Sequence, residues 1–344
     1  MPPTVPQKTK INGADLLDRL RASLVRYVVL PSAEAADAIT LWIAATHAQT
    51  AWEHAPRLVP KSPEKRCGKS RCQDVIAETC HRALITVNAT VAAIVRSVGD
   101  NPPTLIVDEA DTIFGTKKQA DNNEDLRGIL NAGHQRNRPM FRWDITSHQL
   151  EAMTTFAMAC LASIGDLPDT IEDRAVVIRM RRRAPGEQIA PYRTRRDGPH
   201  LNELRDELAD WVGGMAPALH DVVPEMPVED RAADTWEPLV AIADAAGGNW
   251  PHRARSACLA LTEDEPNDGA PGTRLLADLR EVWKESEPEL FTTTTILDRL
   301  KKARGKSVVG MGTQSRTDHS DRAGRAAQTV PGSVAEHPGR WGPG

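Results

Sequence analysis

Aromatic residues are scarce: they make up 4% of the 344 residues, with eight tryptophans, four phenylalanines and two tyrosines. Among the arginines of residues 179–196 the one interleaved aromatic is Tyr192, which gives a base-stacking platform little support. Cysteine is sparse and odd in number: Cys67, Cys72, Cys80, Cys160 and Cys258. Such a set excludes a disulfide framework, and Cys67-x4-Cys72 has no second Cys or His pair to complete a zinc site. The thiols read as reduced, small apolar fillers. His47, His134 and His148 lack metal-ligand spacing and read as structural. No run of about 18 apolar residues occurs, so no segment reads as a membrane span. The opening MPPTVPQKTK lacks the apolar stretch of a signal peptide and reads as a flexible leader. These absences predict a cytoplasmic protein. An excess of positive charge is missing too: 43 Lys and Arg against 47 Asp and Glu leave a net charge of −4. That excludes a uniformly basic nucleic-acid coat, though not a local basic surface.

What is present is organised in four stretches. Residues 1–56 form the leader and a helical N-terminal module. Leu17, Leu20 and Leu24 recur at helical spacing, and Ser32 caps a second helix with Ala35, Ile39, Trp42, Ile43 and Thr46 on one face. Residues 57–185 alternate strands with helices. Helical faces recur at Cys72, Val75, Ile76 and Thr79, at Val91, Ile94, Val95 and Val98, and at Leu126, Ile129 and Leu130, where a helix stops near Gly133. Leu58-Val59 leads into a loop. Strands are expected at Leu84–Val87, at Thr104–Asp111, an apolar run ending in acids that reads as a central strand buried on both faces, and at Met140–Ile145, Ala159–Ile164 and Ala175–Met180. This alternation predicts a parallel sheet with helices on both faces. Residues 186–302 are helical again, with stripes at Leu204, Leu208, Trp211 and Val212, at Leu239, Ile242 and Ala243, at Leu275, Leu276, Leu279, Val282 and Trp283, and at Ile296, Leu297 and Leu300. Residues 303–344 contain no Leu, Ile or Phe but eight glycines and three prolines. They cannot offset the entropy of ordering and are expected to be disordered.

Three constellations carry chemistry. The first is Cys67-Gly68-Lys69-Ser70-Arg71, at a strand-to-helix turn. A phosphate chain needs converging backbone N–H groups, a cation and a hydroxyl for Mg²⁺. The turn supplies the amides, Lys69 the cation and Ser70 the metal ligand. The pattern G-x-x-x-x-G-K-[ST] is broken, because Pro63 stands where its first glycine belongs. The second lies about 38 residues after Lys69, where an apolar strand ends in Asp108-Glu109. Asp108 suits Mg²⁺ and Glu109 the attacking water; the competing reading is a solvated strand end. Asp111 reads as a helix-start residue. The third is Arg174, in Leu167–Arg174, a candidate arginine finger reaching a neighbour's γ-phosphate, or else a local ion pair with Asp173 or Asp169. Ser163 and Thr146 are candidate γ-phosphate sensors. Beyond Arg174, seven arginines between Arg179 and Arg196 face one acid, Glu187. Arg181, Arg182, Arg183, Arg195 and Arg196 there are candidates for phosphate-backbone contacts, and Tyr192 is the one interleaved aromatic.

The motifs Ser62–Ser70, Leu105–Phe114, Leu126–His134, Ile164–Arg174, Arg179–Glu187 and Trp236–Gly248 occur in this order. Together they resemble an uncharacterised family of actinobacterial, phage and plasmid proteins known as a domain of unknown function, whose members often lie beside or fused to primase-like domains. The resemblance runs from about Leu16 to Leu300. It implies an α/β fold with a P-loop NTPase (ASCE/AAA+-like) parallel sheet core between helical N- and C-terminal modules. It also implies a helicase-like or helicase-loader-like ATPase of phage- or plasmid-type DNA replication, using ATP and Mg²⁺. The expected partners are single-stranded DNA, a primase or other replication protein, and further copies of the chain. The family tolerates the missing first glycine. The alternative is a nucleotide-gated DNA-binding module, or a degenerate prophage remnant, with little or no hydrolysis. One departure stands out: the family continues past Leu300 into a winged-helix-like end, whereas this sequence loses its apolar period. A frameshift in the gene is the expected cause, and reading the other frames tests it.

Overall fold

The computed structural model describes residues 11–86, 91–114, 124–144, 148–263, 279–280 and 293–307. Among them the strands are β1 (Arg57–Ser62), β2 (Ala83–Thr86), β3 (Thr104–Val107), β4 (Met140–Asp144), β5 (Gln149–Met153), β6 (Ala159–Leu161), β7 (Ser163–Ile164) and β8 (Ala175–Arg179). The helices are α1 (Gly13–Tyr27), α2 (Ala33–Thr46), α3 (Lys69–Thr79), α4 (Val91–Val98), α5 (Ala110–Phe114), α6 (Glu124–Ala132), α7 (Asp169–Glu172), α8 (Thr194–Leu219), α9 (Asp230–Ala246), α10 (Trp250–Glu263) and α11 (Thr293–Ser307).

The main sheet is parallel throughout. β6 and β7 act as one strand broken at Ala162: Arg57 and Leu58 face Ala159 and Cys160, while Lys61 and Ser62 face Ser163 and Ile164. The spatial order is therefore β2, β3, β6/β7, β1, β8. The chain leaves β1 to one side, returns through β3 and β6, then crosses to put β8 on the far side of β1. Such a switch point opens a crevice beyond the C-terminal ends of the strands.

Strand alternation sends side chains to two cores. Leu58, Ile106, Cys160, Val176 and Ile178 pack with residues of α1, α2, α3, α8, α9 and α10. Val59, Leu105, Val107, Ala159, Leu161 and Val177 pack with α4, α5 and α6 on the other face. The helices before and after the sheet thus share a single core layer. Ser32 accepts the Ala35 N–H at 3.1 Å to start α2, whose Ile39, Trp42 and Ile43 are fully buried. Each such side chain contributes about 1.5–3 kcal/mol. Asp37 binds Arg21 of α1 and Arg253 of α10, tying three helices together. Gly13 lets α1 approach α8, since a Cβ there would lie 2.1 Å from the Trp211 ring.

Met140–Asp144 does not join the main sheet. It pairs antiparallel with β5, Trp143 opposite Leu150 and Phe141 opposite Ala152, and these two aromatics and Leu150 are exposed. The alternation of Phe141-Arg-Trp143 suits a two-stranded ribbon, not a strand buried on both faces. Contacts divide the chain into residues 1–266 and 267–344. In the second unit α11 continues through Ser307, beyond the Ile296–Leu300 segment expected to be helical. Residues 1–10, Val87, Ile145, Thr146, the stripe residues Leu275, Leu276, Val282 and Trp283, and residues 308–344 lie outside the described residues. Among the described residues no helix is long and apolar enough to cross a membrane.

Candidate active site

The residues predicted to bind phosphate and metal meet at the C-terminal edge of the sheet. A cleft of about 390 Å³ is lined by the loop and helix start Lys65–Arg71, by Asp108, Glu109 and Asp111, and by Ala162 and Ile164. The loop strand and the acidic strand are not neighbours: β6/β7 runs between them and supplies the cleft's middle wall.

The loop's geometry follows from its residues. Gly68 caps α3 with φ +84°, a left-handed conformation glycine adopts without cost, and Arg66 has φ +68°. Pro63 is not at a positive-φ position, so the missing first glycine leaves no backbone strain there. The Cys72 N–H is the first to bond back, to the Gly68 carbonyl at 2.9 Å, and earlier amides of the helix start are the ones an N-terminus leaves without helical partners. Lys69 Nζ donates to Ser62 Oγ, whose own hydroxyl donates to the Glu64 carbonyl at 2.7 Å. Ser70 is exposed and Cys67 buried. Arg71 lines the cleft, but its guanidinium is held by Asp74 at 3.1 Å and over the Tyr192 ring at 4.9 Å. Burial, with Asp108 nearby, raises the Asp74 pKa against the opposing effect of Arg71.

The acidic side is a strained turn. Glu109 has φ +52°, unfavourable for a residue with a long side chain. Its N–H donates to Asp108 Oδ1 at 2.9 Å, and its carbonyl accepts from Thr112 N–H and Oγ1, both at 2.8 Å. The turn is pinned to the middle strand twice: Ala110 N–H donates to the Ala162 carbonyl at 2.8 Å, and Ile164 N–H to Asp111 Oδ1 at 3.0 Å. Gln73 of α3 donates to the Val107 carbonyl at 2.9 Å, joining loop helix to acidic strand. Asp111 and Gln73 are positioning residues that sequence reasoning missed, because their partners come from strands remote in sequence. Asp108 and Glu109 remain exposed to the cleft.

Other predicted residues lie elsewhere. Ser163 is fully buried and donates to the Gly165 carbonyl at 3.2 Å; it does not line the cleft. Arg174 precedes β8, at the opposite edge of the sheet, where Arg57 N–H donates to its carbonyl. There its guanidinium donates to the Thr170 carbonyl at 2.8 Å, and burial plus the neighbouring Arg231 and Arg138 lower its pKa. Asp173 pairs with Arg231 instead, at 2.8 Å. In the arginine strip, Arg181 forms two bonds to Glu187, holding that carboxyl's pKa down to about 2. Arg182 pairs with Glu64, in the segment between β1 and α3, at 2.6 Å, and Arg196 with Asp197 at 2.8 Å. Arg183 and Arg195 are exposed and make no side-chain bond among the described residues. All five cysteines are buried free thiols, and burial raises Cys72 and Cys80 to about 12.

Residues 179–317 match a family model. It is described as "Protein of unknown function (DUF3631)". The match begins at the last residue of β8, so the cleft lies upstream of it. An "Uncharacterized 28.9 kDa protein in xis 5'region" of Saccharopolyspora erythraea is 53% identical over 116 residues, 33% of this chain and 44% of that protein. The chain therefore spans less than half the length of this relative. These matches agree with the resemblance to an actinobacterial family of unknown function. Among solved structures, "The A form apo structure of NrS-1 C terminal region-CTR" aligns with a TM-score of 0.35 and 14% identity, over 65% of this chain and 51% of that one.

Proposed function

We propose that the protein binds ATP with Mg²⁺ in the cleft between the Lys65–Arg71 loop and Asp108-Glu109, and hydrolyses it as a helicase-like or helicase-loader-like ATPase of phage- or plasmid-type DNA replication. The observation that carries this reading is the meeting in one cleft, at the sheet's switch point, of a Gly68-Lys69-Ser70 helix start and two exposed acids. The strand order, with one strand between loop and acids, supports a P-loop NTPase core of the ASCE/AAA+-like form. The residues fit the group: Ser70 and Asp108 offer exposed hard oxygen ligands on opposite walls. They would hold Mg²⁺, which when bound draws charge from the phosphate oxygens. Lys69 gives up Ser62 Oγ for a phosphate oxygen, and the loop amides donate to the phosphates. Glu109 orients the water and accepts its proton.

Arg174, remote from its own chain's cleft, serves as a finger only in trans, so the reading calls for a homo-oligomer. Arg183 and Arg195, exposed strip arginines with no side-chain hydrogen bond or ion pair among the described residues, are the first candidates for a DNA phosphate contact. Single-stranded DNA, the primase association and the mobile-element setting rest on the family resemblance. The engagement of Lys69 by Ser62 favours, as a second reading, a nucleotide-gated DNA-binding module that hydrolyses slowly or not at all. ATPase rates with and without single-stranded DNA separate the two, for wild type, Lys69→Ala and Glu109→Gln. A basal rate untouched by either substitution contradicts the catalytic reading, and hydrolysis indifferent to DNA favours the second.

A further inference from the structure

β8 pairs with β1 and, among the described residues, with no second strand. The register settles which of its backbone groups are left over. Arg57 N–H donates to the Arg174 carbonyl and Met180 N–H to the Lys61 carbonyl. Residues 174, 176, 178 and 180 therefore turn their backbone toward β1, and alternation turns the N–H and C=O groups of Ala175, Val177 and Arg179 outward. β8's outer side borders a groove of about 850 Å³, lined by Ala175–Val177, the start of α9 and Leu261-Thr262 of α10.

The groove is strongly acidic. Glu172, Asp173, Glu229, Asp230 and Asp234 line it against one arginine, Arg231. Two of these acids are answered within the fold, Glu172 by Lys61 and Asp173 by Arg231, each at 2.8 Å. Asp234 has, among the described residues, the His54 ring at 3.8 Å as its one ion-pair partner. Glu229 and Asp230 make no side-chain hydrogen bond or ion pair among the described residues. Sheet edges are commonly guarded by lysine, proline or a covering element; this one carries uncompensated negative charge instead. Pairing of β8 with the same strand of a second copy would set two acidic groove walls against each other, which disfavours a symmetric edge-to-edge dimer.

We propose that this edge docks an extended basic segment of a partner protein. The segment adds a strand about as long as β8, pairs with the backbone of Ala175, Val177 and Arg179, and places Lys or Arg side chains against Glu229 and Asp230. The inference stands apart from the nucleotide reading, since no cleft residue takes part.

The test uses the full chain and an end-blocked octapeptide alternating valine with arginine. Binding should slow amide exchange at Ala175, Val177 and Arg179, and leave Val176 and Ile178, already bonded to β1, unchanged. The same peptide N-methylated throughout keeps its charge but loses its donors, and should bind at least tenfold more weakly. Glu229→Gln with Asp230→Asn should weaken the unmethylated peptide at least fivefold. Equal affinity for both peptides, unchanged exchange at the three outward amides, or peptide-independent dimerisation through β8 would overturn the proposal.

Discussion

The two edges of the parallel sheet handle polar groups in opposite ways. At the N-terminal edge most are consumed by the fold, although Arg57 Nε is buried without a partner. Arg57 is 1% exposed, and its guanidinium donates to the carbonyls of Ala55, Ala157 and Leu130. Burial without an acidic partner lowers its pKa to about 9. Gln49 nearby donates to the Pro102 carbonyl and accepts the Met158 N–H. At the C-terminal edge, Ser70, Asp108 and Glu109 are exposed around a cleft, and Arg66, Gly68 and Glu109 hold left-handed backbone. Polarity alone does not mark a site. Polar groups left exposed around a cleft, beside backbone held in costly conformations at Arg66 and Glu109, point to a candidate site. Arg174 crosses this division: it sits at the consuming edge, yet has a single carbonyl partner and two repelling arginines.

The contrast can be broken in four places. The largest effect is expected at the cleft: Glu109→Gln should lower the single-turnover rate of ATP hydrolysis about 10²–10⁴-fold while leaving ATP affinity near wild type. Next, Arg57→Met leaves three buried carbonyls unanswered and should cost about 2–4 kcal/mol in urea unfolding, with ATP affinity of the folded protein unchanged. A loss of affinity there would show that the two edges are not independent. Third comes acidification. His47 is buried against the Thr79 carbonyl, and burial lowers its pKa to about 4. The unfolded chain therefore takes up its proton first. The His47 contribution is full above about pH 6.5, the ordinary histidine value, and should fall by about 1–3 kcal/mol as pH drops toward 4. Burial lowers His134 to about 4 as well, so His47→Gln should reduce the slope and not abolish it. The smallest effect is expected in the arginine strip. Arg183→Ala or Arg195→Ala should each lower the salt dependence of single-stranded DNA binding by about one phosphate contact, whereas Arg181→Ala, already paired with Glu187, should lower it less.

Much of the sheet and of the cleft could be read from local pattern. The apolar run Leu105–Val107 before Asp108, and a glycine at a strand-to-helix turn, are signals contained within a few residues. Ser32 as a cap and the stop near Gly133 are legible for the same reason. What the pattern does not carry is pairing between distant segments. Phe141-Arg-Trp143 alternates like a half-buried strand, and nothing local says that its partner is Gln149–Met153 and not β6. At the break, the Ala162 carbonyl accepts the N–H of Ala110, the first residue of α5, more than fifty residues earlier in the chain. The charge strip looked nearly free of acids because Glu64, which answers Arg182, lies more than a hundred residues earlier. The helices flanking the sheet read as two modules along the chain, but their shared core is visible only once both are packed on one sheet face.

Equilibrium binding of ATP in the presence of Mg²⁺, compared among wild type, Lys69→Ala and Arg57→Met, tests the central claim most directly. Lys69 lines the cleft, and Arg57 is built into the opposite edge. The account predicts that Lys69→Ala weakens ATP at least tenfold, while folded Arg57→Met binds as wild type does. Equal affinity of wild type and Lys69→Ala would contradict it.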